Sequence, residues 1–247
     1  MKQKKRVSMT TAFYVAALSL PFFSEMTMAN MSVYPMELNV DRSGAAQIKV
    51  ASKTDDIQFI RVRQKKILNP GTAEEKEIDV ASWKEGGVVV TPEKFALAAG
   101  AMRVVRLVSL MPPKKETTWR VYFEGVKQPD SIIPGKAESP AAMATLGVNV
   151  IWGALVHIAP EENVISLSID PRRGTLKNSG TLRVPLREIG ICDANSSCKW
   201  IKEDATIYPD TERKLKTLTQ KQGQKYKFRY FNWVNKTAEE ADLPVVQ

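Results

Sequence analysis

The sequence predicts an all-β chain folded as two β-sandwiches joined at a hinge. Three observations carry this expectation. Apolar and polar residues alternate with a period of two along most of the chain, and long runs with the 3.6-residue period of an amphipathic helix are missing. The alternating runs are rich in Val, Ile, Thr, Tyr, Phe and Trp, which suit a pleated, half-buried surface. Clusters of turn residues separate the runs at short intervals. Many short strands with regular turns build sandwiches.

The chain opens with a leader. Lys2, Lys4, Lys5 and Arg6 form a basic end, residues 10–23 (TTAFYVAALSLPFF) an apolar run, and Thr27-Met28-Ala29 a small-residue cleavage site. This is the pattern of a secretory signal peptide over residues 1–29, cleaved after Ala29. The run is shorter than the roughly 20 apolar residues of a membrane span and contains Pro21. No later stretch is long and apolar enough to cross a bilayer, so the mature chain is expected to have no membrane span.

Strands are expected at residues 32–40, 47–51, 57–67, 87–90, 102–110, 117–126 and 144–158. A second group follows at 164–169, 181–192, 213–218 and 225–234. Asn69-Pro70-Gly71, Gly86-Gly87, Ala99-Gly100, Pro112-Pro113, Pro134-Gly135 and Asn178-Ser179-Gly180 supply the turns. Ala159-Pro160-Glu161-Glu162 reads as a hinge, which places one domain at 30–159 and a second at 160–247. Residues 127–140 (KQPDSIIPGKAESP) read as a long hairpin loop.

Composition narrows the function classes. The 247 residues are 43% hydrophobic, 26% charged and 8% aromatic, as in an ordinary globular protein. The formal charge of +9 falls to +6 once the leader is removed, and the cations are interspersed with acids. Nucleic-acid binding is not expected from that pattern. Cys192 and Cys198 are the only cysteines, and in an exported chain two neighbouring cysteines read as a disulfide and not as a metal site.

Catalysis finds little support. His157 is the only histidine, and the sequence has no HExxH, P-loop or Gly-rich dinucleotide signature. No enzyme activity, cofactor or metal is expected.

The informative stretch is residues 144–158, ATLGVNVIWGALVHI. Leu146, Val148, Val150 and Trp152 fall on one face of a strand. On pattern alone, a central strand filling its own core is the favoured reading. The other reading is an edge strand whose apolar row is offered to a partner by β-augmentation.

Four motifs then resemble the periplasmic pilus chaperones of the chaperone–usher pathway. Val33-Tyr34-Pro35 stands near the mature start. Residues 91–97 (TPEKFAL) lead through Gly100 to residues 103–107 (RVVRL). Residues 111–119 (MPPKKETTW) follow the family's Pro-x-x-Arg-Glu-x-x-aromatic pattern with Lys115 for the arginine, and residues 146–152 match its donor strand. Residues 67–72 (ILNPGT) and 119–124 (WRVYFE) look most like the alternate, colonisation-factor branch. The resemblance covers most of residues 31–160 and is weaker beyond, where the Cys192/Cys198 pair is the main echo.

The resemblance implies two immunoglobulin-like sandwiches in a boomerang shape with an interdomain cleft, in the periplasm. It implies a chaperone for pilin and tip subunits, handing them to an outer-membrane usher; the exposed apolar row, for its part, would be hidden in the free chaperone, with self-association as one way. This architecture and its donor-strand mode are known examples of sandwich and strand-addition proteins. A pilus protein lacking its last strand would receive Leu146, Val148, Val150 and Trp152 in its groove. Burying four such side chains is worth about 6–12 kcal/mol before association costs. The alternative is an exported two-domain fimbrial adhesin or carbohydrate-binding protein.

One departure stands out. The family's commoner branch holds the C-terminal carboxylate of its guest with an arginine three residues before Tyr-Pro and a lysine in the strand entering the hinge. Here Met31 fills the first slot, and residues 153–157 contain no lysine. Candidate cationic groups for the cleft are Arg61, Arg63, Arg103, Arg106, Arg120 and His157.

Overall fold

The computed structural model describes residues 30–80, 86–126, 150–193, 197–215 and 224–246. Among these residues there are seventeen strands and no helix. The leader and its cleavage after Ala29, and the loop at 127–140, lie outside the described residues.

The first group of strands is β1 (Met31–Tyr34), β2 (Glu37–Val40), β3 (Ala45–Ser52), β4 (Gln58–Leu68), β5 (Lys76–Ile78), β6 (Val89–Thr91), β7 (Lys94–Leu97), β8 (Met102–Val108), β9 (Thr117–Val126) and β10 (Trp152–Ile158). They form two facing sheets. One has the order β1-β3-β8-β6; the other has β2-β10-β9-β4-β5, with β7 also on β4. The expected strand at 32–40 is two strands: it breaks at the cis Tyr34-Pro35 bond, and the chain passes there from one sheet to the other. Trp119, Val121 and Phe123 of β9 face Val62 of β4 and Ala154 and Val156 of β10, all buried in one core with Ile48, Val50, Val105 and Leu107. The alternation 119, 121, 123 is what the period-two pattern anticipates.

The second group is β11 (Leu167–Asp170), β12 (Thr175–Asn178), β13 (Val184–Cys192), β14 (Cys198–Ile207), β15 (Glu212–Lys214), β16 (Lys225–Asn232) and β17 (Thr237–Asp242). Its sheets are β11-β12-β15 and β14-β13-β16-β17. Leu176, Val184, Leu186, Ile207, Phe228 and Leu243 fill its core. Cys192 and Cys198 are opposite one another on β13 and β14 and form the disulfide.

β5, β7, β12, β14 and β17 fall outside the expected strands, and the two longest of these are β14 and β17. Both are sheet edges, and residues 237–242 (TAEEAD) carry charges where an apolar row would signal a strand. Edge strands are protected from unwanted pairing by such charges, so the property that makes them safe also hides them.

The two sandwiches touch through short contacts. Glu116 N–H donates to Thr181 O at 2.8 Å, and Glu161 N–H to Pro113 O at 3.0 Å. The turn Asn69-Pro70-Gly71 of the first sandwich presses on the second: a Cβ at Gly71 would lie 3.2 Å from the Tyr208 ring, and φ there is +72°. Glycine therefore serves twice, for the left-handed turn and for the close approach.

Candidate functional site

The strand entering the hinge is only half enclosed. β10 pairs along its whole length with β9, from Trp152↔Phe123 to Ile158↔Thr117. On its other side it pairs in parallel with β2 from Leu155↔Glu37 to Ile158↔Val40. Leu155 N–H donates to Met36 O at 2.7 Å. Backbone groups of residues two apart in a strand point the same way. Gly153 therefore turns its N–H and C=O outward on the Leu155 side, and the same alternation carried one residue past the strand end at Trp152 puts those of Ile151 there too. Among the described residues no strand covers that edge before Leu155.

Of the four residues expected to face a partner, Leu146 and Val148 lie outside the described residues. Val150 is 37% exposed, and its neighbour Ile151 is 47% exposed. Trp152 packs partly buried against the core of its own sandwich. The apolar row thus enters the described fold with Trp152 inside and Val150 outside.

Gly153 has a local reason. A Cβ there would lie 3.1 Å from Arg120 Cδ and 3.2 Å from Tyr122 Cε1. Those side chains lean over the strand because Glu77 holds both: Arg120 Nη1 donates at 2.6 Å and the Tyr122 hydroxyl at 2.7 Å. Glu75 adds a 3.5 Å contact to Arg120. Burial and the Glu77 carboxylate raise the Tyr122 phenol above its ordinary range.

At the hinge end of the same sheet, Asn39, His157, Thr118 and Ile67 stand side by side across β2, β10, β9 and β4. His157 is fully buried, and Thr118 and Ile67 nearly so. His157 Nδ1 is 3.2 Å from Thr118 Oγ1 and 3.5 Å from Glu116 Oε1. Its Nε2 lies 3.3 Å from Glu37 Oε1, off the line of a hydrogen bond. From the second sandwich, Tyr208 stacks on the imidazole with ring centroids 6.0 Å apart. Arg183, also buried, gives its backbone N–H to Glu116 Oε2 at 3.0 Å, Nη1 to Glu116 Oε1, and Nη2 to Asn39 Oδ1 at 2.6 Å. Its guanidinium lies 4.9 Å over the Trp233 ring.

The titration of this cluster follows from its surroundings. Burial pushes the His157 imidazole below its ordinary 6.5 and Arg183 adds to the effect, against Glu37 and Glu116. The contact with His157 lowers the Glu37 carboxyl. Burial drives the Tyr208 phenol up to about 12, so it stays neutral.

Beside the cluster a cavity of about 560 Å³ opens between the sandwiches, lined by Lys66, Lys114, Lys115, Asn69, Glu116 and Tyr208 among others. Lys115 Nζ is 2.5 Å from Asp210 across it. Of the six candidate cations, His157 lies at this cleft, shielded from solvent. Arg61 and Arg63 share Glu124 at 2.9 and 3.0 Å, at the far end of the sheet, and lower its carboxyl. Arg120 is bound to Glu77. Arg103 and Arg106 belong to β8 in the opposite sheet, Arg103 lying 5.6 Å over the Phe95 ring. Met31 is buried in the first core.

The sequence points neither to the Glu116–Arg183 link nor to Lys66 and Lys114 as cleft cations, and it marks Lys115 only as the residue in the motif's arginine position. Glu116 belongs to the MPPKKETTW motif. Arg183, a lone cation between Leu182 and Val184 at the head of an apolar strand, was the available signal.

Known proteins bear on this geometry. No protein-family profile matches the chain. It is 36% identical over 205 residues to a CFA/I fimbrial subunit of Escherichia coli, covering 80% of this chain and 84% of that one. It is 34% identical over 203 residues to a CS1 fimbrial subunit of Escherichia coli, covering 79% and 83%. Among solved structures it superimposes on the class 5 fimbriae chaperone CfaA with a TM-score of 0.71 and 31% identity, over 87% of this chain and 99% of that one. Among the described residues no helix is long and apolar enough to cross a membrane. The likeness extends along nearly the whole of that chaperone, and with the two relatives above it shows that the chain belongs to the periplasmic pilus chaperones of the chaperone–usher pathway, in their colonisation-factor (class 5) branch.

Proposed function

We propose that this chain binds fimbrial subunits by lending them the strand that ends in β10, and passes them to the outer-membrane usher without catalysing any reaction. The observation that carries the reading is the edge of β10 at Gly153, which no strand covers among the described residues, beside exposed Val150 and Ile151. An unpaired edge beside an apolar row invites a strand that lacks a neighbour. Leu146, Val148 and Val150 would fill successive pockets of the guest, and Trp152 would brace the strand from its own core. A solved relative comprises a chaperone with a tip adhesin, in keeping with such a partner. Export through the leader at 1–29, cleaved after Ala29, places the chain in the same compartment as its guests.

In the same reading, Lys66, Lys114 and Lys115 receive the guest's terminal carboxylate in the cleft. They line the cavity, whereas the family's arginine slot holds core-buried Met31.

The test is recovery of fimbrial subunits from periplasm. Val148→Asp or Val150→Asp puts a charge into an apolar groove, and the subunits should be lost while the chaperone itself accumulates normally. Normal subunit levels with both variants would mean that another surface does the binding. Lys66→Gln with Lys115→Gln should weaken recovery without abolishing it.

A further inference from the structure

The strand that offers its open edge at Gly153 also carries, four residues on, the buried imidazole of His157. We propose that His157 is a proton-operated positioning residue that sets the angle between the two sandwiches and thereby the width of the cleft; the consequence for holding a guest rests on the function proposed above, the angle itself does not.

The argument starts from hydrogen-bond valence. A neutral imidazole has one donor and one acceptor. The tautomer that suits both sides carries its proton on Nε2, facing Glu37, and accepts the Thr118 hydroxyl at Nδ1. Glu116 is then left to Arg183, from which it takes two hydrogen bonds. Glu116 belongs to the first sandwich and Arg183 to the second, so this pair ties them together.

Protonation turns Nδ1 into a donor. Its available acceptors are the Thr118 hydroxyl and Glu116 Oε1, 3.5 Å away. Glu116 Oε1 is the oxygen that Arg183 Nη1 already occupies. Two cations, one from each sandwich, then compete for one carboxylate and repel each other in a water-poor site. The charged and titratable groups around the ring are Glu37 from β2, Glu116 ahead of β9, Arg183 ahead of β13 and Tyr208 after β14. Tyr208 keeps its proton throughout, and the Lys115–Asp210 pair stands at the more exposed wall of the cleft. His157 therefore gains its charge only on acidification, at a midpoint that burial has set below the usual one.

The experiment uses the full mature chain. Nitroxide labels at Lys49→Cys and Lys214→Cys, exposed positions on the two sandwiches, report the distance between them. The single histidine gives one unambiguous imidazole titration by NMR. The expected result is a constant distance above the His157 midpoint and a step below it, with the same midpoint as the imidazole, and no step in His157→Gln. A distance that ignores the titration, or a step with the same midpoint in His157→Gln, overturns the proposal. Should His157→Gln fail to fold, Thr118→Val serves: loss of the hydroxyl donor raises the imidazole midpoint, and the distance step must move with it; a step that stays behind overturns the proposal. Retention of a purified fimbrial subunit is read on the same samples. Retention that falls with the step supports the link to holding, and retention indifferent to an intact step overturns that link alone.

Discussion

Glu116 and Arg183 are joined twice, through the backbone N–H of Arg183 and through its guanidinium, and both residues are buried. Removing one partner of a buried pair leaves the other charge without compensation. Glu116→Ala should therefore cost about 3–5 kcal/mol. Glu116→Leu with Arg183→Met should cost less than either single change, because no charge is then stranded. Urea unfolding of the purified variants measures both. A double variant less stable than Glu116→Ala would show that the pair contributes more than the charges it satisfies.

Stability should fall on mild acidification. Burial holds the His157 imidazole below 6.5 in the folded chain. The unfolded chain consequently takes up a proton that the folded chain resists, and acid favours unfolding from about pH 6.5 down to the folded midpoint. A separate window lies lower. Hydrogen bonds from Tyr230, Asn235 and Asn232 hold the Glu239 carboxyl at about 2, so its contribution is present above its ordinary 4.5 and is lost as pH falls towards 2. The urea midpoint of the wild type should drop between pH 7 and 5, and that of His157→Gln should stay level over the same range.

The two windows also mark what a sequence can disclose. The all-β class was legible because residues such as Trp119, Val121 and Phe123 alternate into one core. The disulfide was legible because Cys192 and Cys198 stand alone and close together. The cleft was not, because its parts come from four distant stretches: Lys66, Glu116, His157 and Arg183 meet only when the second sandwich folds back on the first. Period-two patterning says which face a residue takes within its own sheet. It says nothing about what a neighbouring sandwich will press against that face, and of the six candidate cations Arg61, Arg63 and Arg120 are bound to nearby acids while Arg103 and Arg106 stand on the opposite sheet.

Gly153 and Glu77 should prove coupled. A Cβ at Gly153 meets Arg120 and Tyr122, and Glu77 is what keeps those two side chains over the strand. Gly153→Ala in the wild type should destabilise the chain by about 1–3 kcal/mol through overpacking. With Glu77→Ala, Arg120 can swing into solvent, and the same Gly153→Ala change should cost about 1 kcal/mol less than it does with Glu77 present. A double-mutant cycle by urea unfolding decides the matter, and strict additivity would mean that Arg120 yields even while it is paired.

The direction of each N–H along the strand before the hinge makes the sharpest distinction. Leu155 gives its N–H to Met36 on the β2 side, so Gly153 points the same way, towards the edge that no described strand covers, and alternation carried one residue past the end of β10 puts Ile151 there as well. Trp152 points the opposite way, into the ladder with Phe123. Proline removes a donor and is tolerated in a sheet only where that donor faced outward. Ile151→Pro should therefore leave the urea midpoint nearly unchanged yet cut recovery of fimbrial subunits severely, since it deletes a hydrogen bond that only a guest strand would accept. Trp152→Pro should destabilise the chaperone itself, through a broken ladder bond and the loss of an indole packed on the core. A parity of this kind cannot come from hydrophobicity, because Ile151 and Trp152 are both large and apolar. If Ile151→Pro retained guests at wild-type levels, the guest would be pairing at another edge, and the case for strand lending from β10 would fail on that measurement alone.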